Sequence, residues 1–93
     1  MQVEIESTEE FEYWLSQLPP KYEGQVRKRL LAIQENGHFG NCKPLGHGLY
    51  ELRWESGRRV YFTRTNNHTI LLLLGGLKNE QDKQIKKARL MFG

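Results

Sequence analysis

With 93 residues, 38% hydrophobic and 27% charged, the chain has the size and balance of one soluble domain, residues 1–93, built round one core. Its longest apolar run, Ile70 to Leu74, suits a strand and excludes a membrane-spanning helix. The single cysteine, Cys42, excludes an intrachain disulfide and fits a reducing cytoplasm. The net charge of +3 is unevenly spread. Residues 1–20 hold five glutamates and no Lys or Arg, so residues 21–93 carry all 14 basic residues against six acidic ones. An acidic start is neither a signal nor a transit peptide. A basic body suits a polyanionic partner such as nucleic acid.

Val3 and Ile5 alternate with Gln2, Glu4 and Glu6, which predicts a short opening strand. Ser7 is placed to cap a helix, with Glu10 at the capping-box position. Phe11, Trp14, Leu15 and Leu18 then form one apolar helical stripe, of the kind that faces a core. Pro19-Pro20 stops this helix, and Pro20 suits the first turn of the next. Tyr22, Val26, Leu30 and Ile33 mark the buried face of that second helix. Arg27, Lys28 and Arg29 lie around the rest, and Asn36-Gly37 ends it. The two helices should form a helical hairpin. From Gly37 to Gly48, "GHFGNCKPLGHG" holds four glycines and a proline, which predicts an irregular loop.

Three strands follow, near Leu49–Glu55, Arg59–Thr65 and His68–Leu74. In the first, Tyr50, Leu52 and Trp54 oppose Glu51, Arg53 and Glu55. In the second, Val60 and Phe62 oppose Arg59, Tyr61 and Thr63. A two-residue turn would mix the faces. A three-residue loop at Ser56-Gly57-Arg58 keeps them apart and pairs Trp54 with Val60, Leu52 with Phe62, Arg53 with Tyr61 and Glu55 with Arg59. Asn66-Asn67 makes the next turn. The third strand is apolar on both faces, so helices should cover both. Gly75-Gly76 reads as a break, and Asn79 as the cap of a last helix over Glu80–Met91 with Gln81, Ile85, Ala88 and Phe92 along one side.

The pattern therefore gathers Glu51, Arg53, Arg59 and Tyr61 on one strand face, with Lys78 at its edge. Such a set suits RNA cleavage by the neighbouring 2′-hydroxyl. Glu51 would be the base if its pKa rose toward neutrality, Arg53 and Arg59 would stabilise phosphate charge, and Tyr61 or Lys78 would protonate the leaving oxygen. This chemistry calls for no metal and no other cofactor. The same residues also make ordinary cross-strand ion pairs. His38, Cys42 and His47 share the Gly-rich loop but lack a zinc-type spacing or a clear fourth ligand, so no metal site is expected. Lys43 beside Cys42 makes no nucleophile without a Cys-His-Asn arrangement.

Taken together, "KPLGHGLYELRWESGRRVYF" and "LLLLGGLKNEQDKQIKKA" resemble the RelE/ParE superfamily of toxins from bacterial type II toxin–antitoxin modules. The nearest branch is the HigB-like addiction module killer, or phage Gp49-like, group. Its F-x-x-W-L helix, K-P-L-G-x-G loop, E-L-R and R-V-Y-F strands and G-G-x-K-x-x-Q segment occur here at Phe11–Leu15, Lys43–Gly48, Glu51–Arg53, Arg59–Phe62 and Gly75–Gln81. The resemblance implies an α+β RelE-like fold in the order β-α-α-β-β-β-α, with two N-terminal helices packed on a twisted, mainly antiparallel sheet and a C-terminal helix. It implies a metal-independent mRNA endoribonuclease that acts on the ribosome in the cytoplasm and stops translation. Its catalytic positions would be Glu51, Arg53, Arg59 and Lys78, joined by Tyr61 from the strand pattern. Arg27, Lys28, Lys43, Arg58, Lys83, Lys86 and Lys87 would contact RNA. The implied partner is an antitoxin with a helix-turn-helix domain, through which operator DNA is reached. Two departures stand out. The C-terminal segment Gln81–Ile85 lacks the tyrosine or histidine common in RelE-like enzymes, and Arg58 replaces a frequent tyrosine. They leave open a ParE-like gyrase inhibitor, or a catalytically decayed protein that only binds its antitoxin.

Overall fold

A computed structural model describes residues 2–92; residues 1 and 93 of the expected domain lie outside the described residues. The elements are β1 (Glu4–Ser7), α1 (Glu9–Ser16), α2 (Pro20–Asn36), β2 (Cys42–Gly46), β3 (Leu49–Arg53), β4 (Arg58–Asn66), β5 (Thr69–Leu77), a 3-10 turn (Lys78–Glu80) and α3 (Gln81–Phe92). The strands form one sheet in the order β1-β5-β4-β3-β2. β1 runs parallel to β5, and every other pairing is antiparallel. This is the α+β arrangement expected, with one strand more than the sequence pattern predicted.

Helices cover both faces. Phe11 and Leu15 of α1 and Val26 and Ile33 of α2 are buried against Leu52, Val60, Phe62, Ile70 and Leu72. Tyr22 and Leu30 are only half-buried at the margins of that face. On the other face Ala88 of α3 is buried with Leu49, Tyr61, Leu73 and Leu74. Transfer of these side chains from water supplies the main drive for the fold. The cap of α1 is Thr8, not Ser7. Its Oγ1 accepts from the Phe11 N–H at 3.0 Å and donates to the Leu73 carbonyl of β5 at 2.6 Å. β1 continues through Ser7, which keeps that residue extended and moves the cap one residue on. Thr8→Ala should therefore lower stability by about 1–2 kcal/mol, the usual cost of a lost cap with one further buried hydrogen bond. Urea unfolding checks this, and an unchanged midpoint would deny Thr8 either role.

The Gly-rich segment is not wholly irregular. Its second half is β2, and His47 and Gly48, with φ of 54° and 84°, turn the chain tightly into β3. Positive φ at both central residues is the primed-turn geometry that matches strand twist. β2 lies at the sheet edge, where Pro44 is tolerated because one side of the strand needs no donor.

The register of the β3–β4 hairpin differs from expectation while the faces agree. The pairs are Arg53–Arg59, Leu52–Val60, Glu51–Tyr61 and Tyr50–Phe62. The loop does hold three residues, but they are Glu55-Ser56-Gly57. Trp54 N–H donates to Arg58 O, and Gly57 N–H donates to Trp54 O. The third loop position is left-handed, and Gly57 takes it with φ of 96°. Arg58 would bear a steric cost there. Moving the loop by one residue shifts every pair by two, so each side chain keeps its face.

Gly75-Gly76 is not a break either. Both residues belong to β5, opposite Val60 and Arg59. Their missing side chains let helices approach the strand from either side: Trp14 lies over Gly75, and Gln84 lies over Gly76. Asn79 falls inside the 3-10 turn, and α3 starts at Gln81.

Candidate functional site

The polar face of β3 and β4 lies on the α3 side of the sheet, at the end where β5 meets the 3-10 turn. Glu51 is fully buried there. Its Oε1 accepts from Arg53 Nε at 2.7 Å, and its Oε2 accepts from Gln81 Nε2 at 2.7 Å. Arg59 Nε is 4.0 Å from the same Oε2, outside hydrogen-bonding range. Arg59 Nη1 donates to the carbonyls of Trp54 at 3.3 Å and Arg58 at 3.1 Å. Its Nε is buried without a hydrogen-bond partner among the described residues. The Tyr61 hydroxyl is also buried; it faces the Glu51 carboxylate but meets no partner at hydrogen-bonding geometry among those residues.

The surrounding backbone holds these groups in place. Arg29 of α2 stacks 4.2 Å from the Trp54 ring centre, and its Nη1 donates to the Arg53 carbonyl at 2.7 Å. Lys78 N–H donates to Gly57 O at 2.7 Å, which pins the 3-10 turn to the hairpin loop. The Lys78 side chain is exposed beside that loop.

Burial acts to raise the Glu51 pKa. The hydrogen bonds from Arg53 and Gln81, the adjacent Tyr61 hydroxyl and the Arg53 charge outweigh it, so the net shift is downward. The rise toward neutrality that a general base at Glu51 requires does not occur, because Arg53 and Gln81 both bind the charged form. Tyr61 shifts upward, first through burial and then through the Glu51 charge. Its hydroxyl stays protonated at physiological pH. Burial also raises the Cys42 pKa, so Lys43 does not make it a thiolate.

A lowered carboxylate pKa stabilises the fold above the ordinary glutamate value of 4.5, and that contribution is lost as pH falls through the folded-state value. The wild type should accordingly lose stability more steeply in acid than Glu51→Gln does. Urea midpoints measured from pH 6 downward test this, and parallel curves would deny that the carboxylate is held ionised.

Exposure divides the five candidate catalytic residues. Arg53 is partly exposed, Arg59 reaches the surface at its margin and Lys78 is open, whereas Glu51 and Tyr61 are each 0% exposed. The first three present atoms at the surface; the last two do not. The candidate RNA contacts are dispersed. Arg27 pairs with Glu23 on α2 at 2.9 Å, and Lys87 pairs with Glu10 of α1 at 2.6 Å. Arg58 stacks 3.9 Å from the Tyr22 ring centre, toward the α2 side. Lys28, Lys43, Lys83 and Lys86 are exposed on α2, β2 and α3. Gln81 was not among the residues the sequence singled out for chemistry. Two signals were available: it closes the G-G-x-K-x-x-Q segment, and it stands four residues before Ile85 on the inner side of α3. Among the described residues no group of three His, Cys, Asp or Glu side chains is close enough to hold a metal.

Comparison with solved structures shows that this architecture is the RelE fold. A double mutant of E. coli toxin RelE in the free state superposes with a TM-score of 0.80 over 100% of both chains at 17% identity. A RelB–RelE antitoxin–toxin complex from Methanococcus jannaschii matches with a TM-score of 0.70, covering 85% of this chain and 96% of that one at 13% identity. The RelBE2 toxin–antitoxin complex of Mycobacterium tuberculosis matches at 0.68, covering 83% and 99% at 18% identity. The chain itself belongs to the family described as phage derived protein Gp49-like, whose model matches residues 13–91. An uncharacterized protein of Haemophilus influenzae is 37% identical over 94 residues, which cover 98% of this chain and 94% of the relative. Among the described residues no helix is long and apolar enough to cross a membrane.

Proposed function

We propose that this protein is the toxin of a type II toxin–antitoxin module and cleaves mRNA on the ribosome as an endoribonuclease. The observation that carries the reading is the cross-strand pair Arg53–Arg59 beside a buried carboxylate, with Arg53 partly exposed and Arg59 reaching the surface at its margin. Such a pair can take a phosphodiester. The 2′-hydroxyl gives its proton to a solvent water as its oxygen bonds phosphorus and the bond from phosphorus to the 5′-oxygen breaks; charge grows on the non-bridging oxygens, and guanidinium groups already in place stabilise it. The Lys78 ammonium, beside the hairpin loop, serves the departing 5′-oxygen. Glu51 orients Arg53, and the protonated Tyr61 hydroxyl supports Glu51 from below; both are positioning groups. The RelE fold, found in toxin–antitoxin complexes, supports a cognate antitoxin as partner, with operator DNA reached through it.

Primer extension on mRNA soon after induction of the protein tests the reading. Cuts inside translated frames support it. Intact mRNA with DNA double-strand breaks would overturn it in favour of gyrase inhibition. Ribosome affinity gives a separate check on Lys83 and Lys86, which are exposed on α3. Lys83→Ala with Lys86→Ala should weaken binding and reduce the slope of log affinity against log salt by about 1–2, one for each lost phosphate contact. An unchanged slope would remove α3 from the RNA interface. Lys87 is the poorer choice, because Glu10 already neutralises it.

A further inference from the structure

Glu51 Oε2 has competing claimants. Gln81 Nε2 holds it at 2.7 Å, while Arg59 Nε waits 4.0 Å away, buried and without a partner among the described residues. A guanidinium bonds a carboxylate more strongly than a neutral amide does, because both groups carry charge. Arg59 nevertheless stays back. The Arg59 carbon chain is fixed from the other side, since Nη1 bonds the Trp54 and Arg58 carbonyls. The Gln81 amide is delivered from α3, whose first turns lie close to β5 because Gly76, the partner of Arg59 across the sheet, has no side chain. A Cβ built there would come within 3.1 Å of Gln84 Cγ.

We propose that Gln81 is a positioning residue: by bonding Glu51 Oε2 it holds Arg59 Nε back at 4.0 Å, short of a direct hydrogen bond to the carboxylate, and so keeps the outer edge of that guanidinium at the margin of the site for an anion. Without the amide, Oε2 is an unsatisfied carboxylate oxygen in a buried site. That cost is relieved when Arg59 Nε closes the remaining gap. The arginine then becomes a structural partner of Glu51 and is withdrawn from the phosphate. The activity consequence rests on the ribonuclease reading; the geometry of the pair does not.

The direct test is the Arg59 Nε–Hε resonance in 15N-arginine-labelled protein, identified by its loss in Arg59→Lys. Gln81→Met keeps the length of the side chain and removes the donor. In this variant the Hε resonance should move downfield and exchange with water roughly tenfold more slowly, the factor expected from a new hydrogen bond to a charged group. Adding Glu51→Gln should restore fast exchange, because the neutral amide no longer draws the arginine in. A packing role for Gln81 predicts no such reset. Cleavage by Gln81→Met should fall about tenfold or more in parallel. Gln81→Leu serves as the second variant if Gln81→Met does not fold. An Arg59 resonance that stays put in a folded variant, or that already exchanges slowly in the wild type, overturns the inference. The resonance is read without RNA, so a protein that cuts no mRNA but shows the shift would overturn the ribonuclease reading alone.

Discussion

Arg59→Ala should abolish detectable mRNA cleavage while leaving a folded protein. Two backbone carbonyls hold the guanidinium in place at the margin of the site, so an incoming phosphate meets its charge in a fixed position. Loss of a preorganised donor of this kind typically slows the chemical step by about 10²–10³. The stability cost is smaller. Two hydrogen bonds to backbone carbonyls disappear, for roughly 1–3 kcal/mol together. Glu51 keeps its bonds to Arg53 and Gln81 and is not orphaned. Primer extension beside a thermal unfolding scan separates the two effects. A folded Arg59→Ala protein that cuts mRNA like the wild type would remove Arg59 from the chemistry. Arg53→Ala is the less informative variant, because it strips Oε1 of its partner and leaves a buried charge half-paired.

The largest loss of stability should come from Gly75→Ala. Replacing glycine by alanine in a strand ordinarily helps by about 0.4–1 kcal/mol through the unfolded chain, where the backbone conformation allows it. Here a Cβ would sit 2.3–2.5 Å from three atoms of the Trp14 indole. The ring is braced by Phe11, 5.7 Å away between centroids, and by the buried face of α1. It cannot yield without lifting the helix, so the change should cost on the order of 3 kcal/mol, the upper end for overpacking. Urea unfolding of Gly75→Ala in wild-type and Trp14→Leu backgrounds tests the cause as well as the size. The smaller side chain should recover most of the loss. Equal penalties in both backgrounds would show that the indole is not what Gly75 accommodates.

What the sequence disclosed follows the range of each interaction. Helix faces and strand faces depend on residues a few positions apart, so Phe11 and Leu15, Val26 and Ile33, and the alternation of Leu52 with Glu51 and Arg53 were all legible. The end of α2 was legible too, because Gly37 has the left-handed φ of 70° that a helix stop favours. Register was not, since it hung on which of three loop residues would take the left-handed position. β2 was missed because Pro44 and its flanking glycines argue against a strand, and only the edge position makes them acceptable. The roles of Gly75 and Gly76 depend on Trp14 and Gln84, partners that no local window contains. The site shows the same divide. Spacing grouped Glu51, Arg53, Arg59 and Tyr61. It could not reveal that a glutamine thirty residues beyond Glu51 would take one carboxylate oxygen and hold the acid ionised.

The two edges of the sheet also bear on how the protein behaves when it accumulates. An open strand edge invites a second copy to extend the sheet. β1 meets such a copy with the exposed carboxylates of Glu4 and Glu6, so two β1 edges repel. At the far side β2 presents Lys43 and Pro44, followed by a bulge. Opposite charge alone would draw the β1 edge of one molecule to the β2 edge of another. The missing proline donor and the bulge interrupt the ladder that such a contact needs. End-to-end stacking is thereby discouraged in each pairing, like with like and like with unlike. A high local concentration of the chain then leaves its surfaces open to a different molecule instead of consuming them in fibres of itself.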